Sequence, residues 1–117
     1  MGSVLGEPAI SLRVREHEEP GIEVRVNFGV FAGRHATPAE IDELALGLRD
    51  FLPSFAIVSE VRHEFAGAVV ASVHQVVVEV PREHAGHAPD LLAEQIVFAA
   101  NGWALECIAS RHGADEL

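Results

Sequence analysis

The chain has 117 residues, 49% hydrophobic and 22% charged, a composition that fits one globular domain with one core and not a disordered chain. Its formal net charge is −10, all eight basic residues are arginines and tyrosine is absent. That excludes lysine nucleophiles, Schiff bases and phenolic acids, and argues against nucleic-acid binding or docking on an anionic membrane. The single cysteine, Cys107, excludes an intramolecular disulfide and any multi-cysteine zinc site.

Residues 1–7 read as a flexible lead without the basic-then-apolar pattern of a signal peptide, so a cytoplasmic protein is expected. Ile10, Leu12 and Val14 then alternate with Ser11, Arg13 and Arg15, the period of a half-buried strand. Glu16 to Gly21 carries turn chemistry. A second strand follows with Ile22, Val24, Val26, Phe28 and Val30 on one face, pairing with the first as a hairpin.

Thr37-Pro38-Ala39-Glu40 predicts a helix start, with Thr37 as cap, Pro38 in the first turn and Glu40 completing a capping box. Ile41, Leu44, Ala45 and Leu48 give that helix one apolar stripe, and Pro53 ends the element. Two more strands are predicted over Ser54–Phe65 and Ala68–Val80, joined by a turn at Ala66-Gly67. That turn places Phe55 opposite Val78, Ile57 opposite Val76, Ser59 opposite His74 and Val61 opposite Ser72, all on the core face. A last helix opens at Pro89-Asp90 and is expected to close at Gly113.

The order strand, strand, helix, strand, strand, helix predicts one α+β domain over residues 1–117. We expect a four-stranded antiparallel sheet with two helices on one face and the fourth strand central, beside the second. The order resembles a circularly permuted ferredoxin-like fold, with that fold's last strand moved to the front. This resemblance in element order implies nothing firm about function.

Two surfaces are candidate interfaces. In the last helix, Leu92, Ile96, Ala99, Ala100, Trp103 and Cys107 share the face that should meet the sheet. Leu91, Phe98 and Leu105 recur every seven residues on the opposite side among polar groups, the pattern of a helix seam. Glu94, Gln95, Asn101 and Glu106 interrupt the apolar run and speak against a membrane span. On the outer sheet face, Val69, Ala71, Val73 and Val77 form an apolar row, which Arg13, Arg15, Arg25, Arg62, Glu23, Glu60 and Glu64 should surround. That face reads either as a solvated surface of cross-strand ion pairs or as a contact with a copy or ligand.

Three polar groups are candidate ligand or catalytic positions. His74 with Ser59 and Ser72 reads first as a core histidine satisfied by hydroxyls, and more sharply as a ligand contact or general base. Gly33-Arg34-His35, before the capped helix, could hold an anion, with His35 a second candidate base, against an ordinary loop. His84 and His87, with Glu83 and Asp90, read as a surface loop instead of a metal site. No cofactor or metal is expected, and Cys107 reads as a small core residue. The sequence therefore predicts a non-catalytic homo-oligomeric module that binds a protein or small ligand. The alternatives are a small enzyme with a histidine base between sheet and helices, and an acidic inhibitor or immunity-type protein that covers a basic partner.

Overall fold

The computed structural model describes residues 10–29 and 34–116, and leaves aside the side chains of residues 62, 64, 66, 69–73 and 110–116. The expected flexible lead (1–7), Val30 and Gly33 lie outside the described residues. The elements are β1 (Ile10–Val14), β2 (Ile22–Val26), α1 (Pro38–Arg49), β3 (Ala56–Ala66), β4 (Val69–Val80) and α2 (Pro89–Glu116), with one 3-10 turn at Arg82–His84. The strands form a single antiparallel sheet in the order β1-β2-β4-β3, so β4 is central and beside β2 as expected. This is the α+β arrangement predicted, and its relation to a ferredoxin-like fold rests on element order alone.

The alternation read in the sequence sets the core. β2 alternates buried and half-buried residues, with Ile22, Val24 and Val26 fully enclosed. Across the sheet, Leu12 faces Val24, Val24 faces Val78, and Val78 faces Ile57, so one row of apolar side chains crosses all four strands. The helices close this face with Leu44 and Leu48 from α1 and Ala93, Ile96, Ala100, Trp103, Ala104 and Cys107 from α2. Phe28 is fully buried and its ring lies 5.2 Å from that of Trp103. Burying one such large side chain stabilises the domain by about 1.5–3 kcal/mol.

Four expectations need correction. The β3–β4 turn is Gly67-Ala68 and not Ala66-Gly67, because a two-residue turn that needs a positive φ at its first position takes glycine there, and Gly67 has φ +63°. The register therefore slides by two residues: Ile57 faces Val78, Ser59 faces Val76, and Val61 faces His74. A two-residue slide keeps every side chain on its expected face. β2 ends at Val26, and Phe28 turns into the core from a helical bend instead of continuing the strand. Finally, α2 runs through Gly113 to Glu116, since a glycine costs a helix only about 1 kcal/mol where the hydrogen-bond ladder continues past it.

The long β3–β4 hairpin outruns the rest of the sheet. Described pairing with β2 reaches only Val76, whereas β3 and β4 stay paired out to Ala66 and Val69. Beyond the helices, the core-side face of β3 is uncovered, leaving Val61 39% and Phe65 75% exposed.

Candidate functional site

Apart from Phe65 at the far end of the hairpin, the most exposed large apolar side chains among the described residues belong to the helix layer. Phe98 is 83% exposed, Leu91 64%, Leu46 61% and Leu105 54%. The predicted seam of Leu91, Phe98 and Leu105 therefore lies on the outside of α2, opposite the stripe that α2 buries. Pro89–Ala109 is long and apolar enough to cross a membrane by length and composition, with a mean hydropathy of 1.2. Here its enclosed stripe packs on the sheet and on α1.

Phe98 stands between two grooves. The first, about 460 Å³, runs between α1 and α2 and is lined by Leu46, Gly47, Phe98, Gly102 and Trp103. The second, about 860 Å³, is lined by Phe51, Ala85, Leu91, Leu92 and Phe98. A methyl group added at Gly47 or Gly102 would meet nothing within 4 Å. Glu43 and Glu106 border the first groove and Glu94 the second. Asp42 and Asp90 are exposed on the same two helices, and Asp50 is exposed just after α1. Arg49, the one basic side chain of α1, lines a separate groove with Leu52, Phe55 and Ile57. Among the described residues, the two grooves beside Phe98 thus have carboxylate rims and no cation.

The outer sheet face carries mixed charge. The Arg25 guanidinium donates to Glu23 Oε2 at 2.7 Å and to Gln75 Oε1 at 2.7 Å, and lies 3.5 Å from Glu60. Gln75 passes the chain on, donating to Asn27 Oδ1 at 2.7 Å. Arg15 adds a contact to Glu23 at 3.4 Å. Arg25, with Arg15 behind it, holds the Glu23 carboxyl below its ordinary value although partial burial opposes this. Gln75 and Val77 are each only 2% exposed, so this network seals the described centre of the face. The side chains of Val69, Val73 and Arg62, also placed at this surface by the sequence, lie outside the described residues. The sequence reading missed Gln75 as the centre of the network. Its signal was a polar residue on a central strand, flanked by valines, with Arg25 and Asn27 two apart on the neighbouring strand.

The candidate polar positions separate. His35 and His74 come together, with ring centroids 3.7 Å apart. Ser59 is exposed and faces Val76, so it does not serve His74, and the Ser72 side chain lies outside the described residues. His74 is half-buried, and among the described residues its Nδ1 has no hydrogen-bond partner. Ser59 is therefore not the hydroxyl partner expected for His74; the His35 ring instead lies against it, tilted by 54°, at the edge of the core. His84 lies 3.5 Å from its neighbour Glu83 in the loop before α2. Among the described residues, no three histidine, cysteine or carboxylate side chains gather to hold a metal ion.

Arg34 is already engaged. Its two terminal nitrogens donate to the two oxygens of Glu40 at 2.9 Å each, and its guanidinium lies 5.5 Å from the centre of the Phe28 ring. The expected capping box is present: Thr37 Oγ1 accepts from Glu40 N, and Glu40 Oε1 accepts from Thr37 N. The same glutamate uses its backbone oxygen to accept from Trp103 Nε1 at 2.8 Å. Glu40 thus joins α1, α2 and the preceding loop, and a positive charge so paired is a poor anion receptor.

Two predictions arise from this junction. The Arg34 hydrogen bonds, opposed by burial and aided by Thr37, pull the Glu40 carboxyl down from 4.5 to about 2. A carboxylate held low in the folded state stabilises fully above its unfolded value, and that share is lost as pH falls. Between pH 4.5 and about 2, wild-type melting temperature should fall more steeply than that of Glu40→Gln. Parallel acid limbs would remove the pairing from the stability balance. Burial, and then the nearby Glu40 carboxylate, push the Cys107 thiol up to about 12. Cys107 is 4% exposed, so at neutral pH a thiol reagent should modify the folded protein on the order of a hundredfold more slowly than the unfolded chain. Equal rates would contradict the burial.

Comparison with protein-family models, with curated proteins and with solved structures gives no match for this chain.

Proposed function

We propose that this chain is a non-catalytic protein-binding module and that its recognition surface is the outside of the helix layer. The observation that carries the reading is Phe98, 83% exposed on a ridge between two open grooves. A large aromatic surrounded by apolar floor and polar rim is the usual anatomy of a binding anchor. The glycines support it. Glycine in a helix interior costs up to about 1 kcal/mol relative to alanine. At Gly47 and Gly102 alanine would fit without a clash, yet the groove is left open.

The enzymatic alternative has less behind it. Neither groove beside Phe98 holds a histidine, and the His35–His74 pair has no carboxylate among its described contacts. The test is a photo-crosslinking residue placed at position 98 in cells, with the same residue at Ser11 on the outer sheet face as control. Protein adducts at 98 and not at 11 support the reading. No adduct at 98, or equal yields at both, removes it.

A second reading is self-association, favoured by the uncovered Val61 and Phe65 on the far half of the β3–β4 hairpin. A two-stranded ribbon gains stability when a further layer covers its apolar face. Light scattering should then give a multiple of 12.6 kDa at micromolar concentration. Phe65→Ser should return it to the monomer mass. A wild-type monomer throughout that range would end this reading.

A further inference from the structure

Resting on the protein-binding reading, we infer that the helix layer takes one amphipathic helix whose apolar stripe is flanked by arginine or lysine. Charge complementarity selects this occupant. The rims of both grooves are carboxylates, Glu43 and Glu106 on one and Glu94 on the other, and among the described residues neither lining contains a cation. Basic flanks on a partner meet these carboxylates while its apolar side chains fill the grooves. A second copy of this surface would bring the same carboxylates against each other, and like charges at an interface oppose association.

The geometry fits a helix. Leu91, Phe98 and Leu105 are spaced by seven residues, and fourteen rises of an α-helix span about 21 Å. A partner helix with the same apolar repeat keeps its stripe on this seam along that length. Its apolar side chains straddle Phe98, some entering the 460 Å³ groove and others the 860 Å³ groove. The bare Cα positions of Gly47 and Gly102 allow the partner backbone to come close on the α1 side. The apolar contact supplies affinity, while the carboxylates orient the partner and speed its approach.

The experiment uses three dye-labelled synthetic eighteen-residue peptides, read by fluorescence anisotropy against the whole chain. One is a leucine–arginine amphipathic helix. The second has the same composition in scrambled order, and the third replaces arginine by glutamate. The amphipathic cationic peptide should bind at least tenfold tighter than either of the others. Phe98→Ser should weaken it at least tenfold while the melting curve is unchanged. The triple substitution Glu43→Gln, Glu94→Gln, Glu106→Gln should weaken it and flatten its salt dependence.

Scrambled and ordered cationic peptides binding alike would overturn the proposal in favour of unspecific charge attraction. Equal binding of the acidic peptide, or no binding by any of the three, would overturn it as well. So would a protein dimer that Phe98→Ser dissolves, since the second copy would then be the occupant. Crosslinks at position 98 without peptide binding would leave the protein-binding reading intact and remove only this partner chemistry. Absence of both would remove both.

Discussion

Trp103→Ala should lower the melting temperature by roughly 15–25 °C. The indole is 7% exposed, its ring lies 5.2 Å from Phe28, and its Nε1 donates to the Glu40 carbonyl at 2.8 Å. Truncating a buried aromatic to alanine costs about 3–5 kcal/mol, and each kcal/mol moves the melting point of a domain this size by several degrees. The loss is concentrated here because Trp103 joins three parts of the domain: its own helix α2, the first turn of α1, and the bend that carries Phe28. Trp103→Phe separates the components. It keeps most of the packing and removes the hydrogen bond, so it should cost about 1–2 kcal/mol. Calorimetry that finds the alanine variant within a few degrees of wild type would mean that this junction is not part of the core.

Gly21→Ala should be the second most damaging of the small changes, at about 1–3 kcal/mol by the usual cost of overpacking. A Cβ built on Gly21 comes within 2.6 Å of the Arg82 Cα, which is backbone and cannot rotate away. The chain cannot retreat easily on the other side. Gly21 N donates to Val80 O at 2.9 Å, and Gly21 O accepts from Arg15 N at 2.8 Å. Moving Gly21 to relieve the clash therefore strains the end of β2 and the turn after β4 together. Denaturant unfolding of Gly21→Ala measures this directly, and Gly47→Ala is its control. The control has open space and should be neutral or stabilising. Equal stability of the two variants would refute the close approach.

Much of the fold was legible because period and punctuation agreed. β2 alternates apolar and polar residues, Thr37-Pro38 with Glu40 marks the start of α1, and both features appear as read. The seam of Leu91, Phe98 and Leu105 was equally visible, because seven-residue spacing leaves a line outside the stripe that faces a sheet. The hairpin turn was misplaced by one residue, since Ala66-Gly67 and Gly67-Ala68 both supply a glycine and only the sign of φ at the first position separates them. That slide moved Ser59 away from His74 and removed one of the two expected hydroxyl partners.

The rest depends on contacts between residues distant in sequence. No periodicity reveals that His35 reaches His74 from the loop before α1, or that Glu40, read as a capping residue, also binds Arg34 and Trp103. Arg34 looked like an anion receptor because an arginine beside a helix start has that geometry. The carboxylate that occupies it comes from the capping residue already identified, used twice.

Among the described side chains, charge is paired on the sheet and unmatched along the helix grooves, an asymmetry that should give the molecule an electric dipole. On the sheet side, Arg15 and Arg25 are matched by Glu23 and Glu60, whereas Glu43, Glu94 and Glu106 border grooves with no cation among their described lining residues. Freely diffusing protein should therefore rotate helices-first as it nears any positively charged body, before contact is made. Adsorbed on a cationic bead at low ionic strength, it should lie with α1 and α2 against the support and present Ser11 and Arg13 to solvent. Limited proteolysis of the adsorbed protein would display that orientation as protection of the helices and unchanged cleavage around β1.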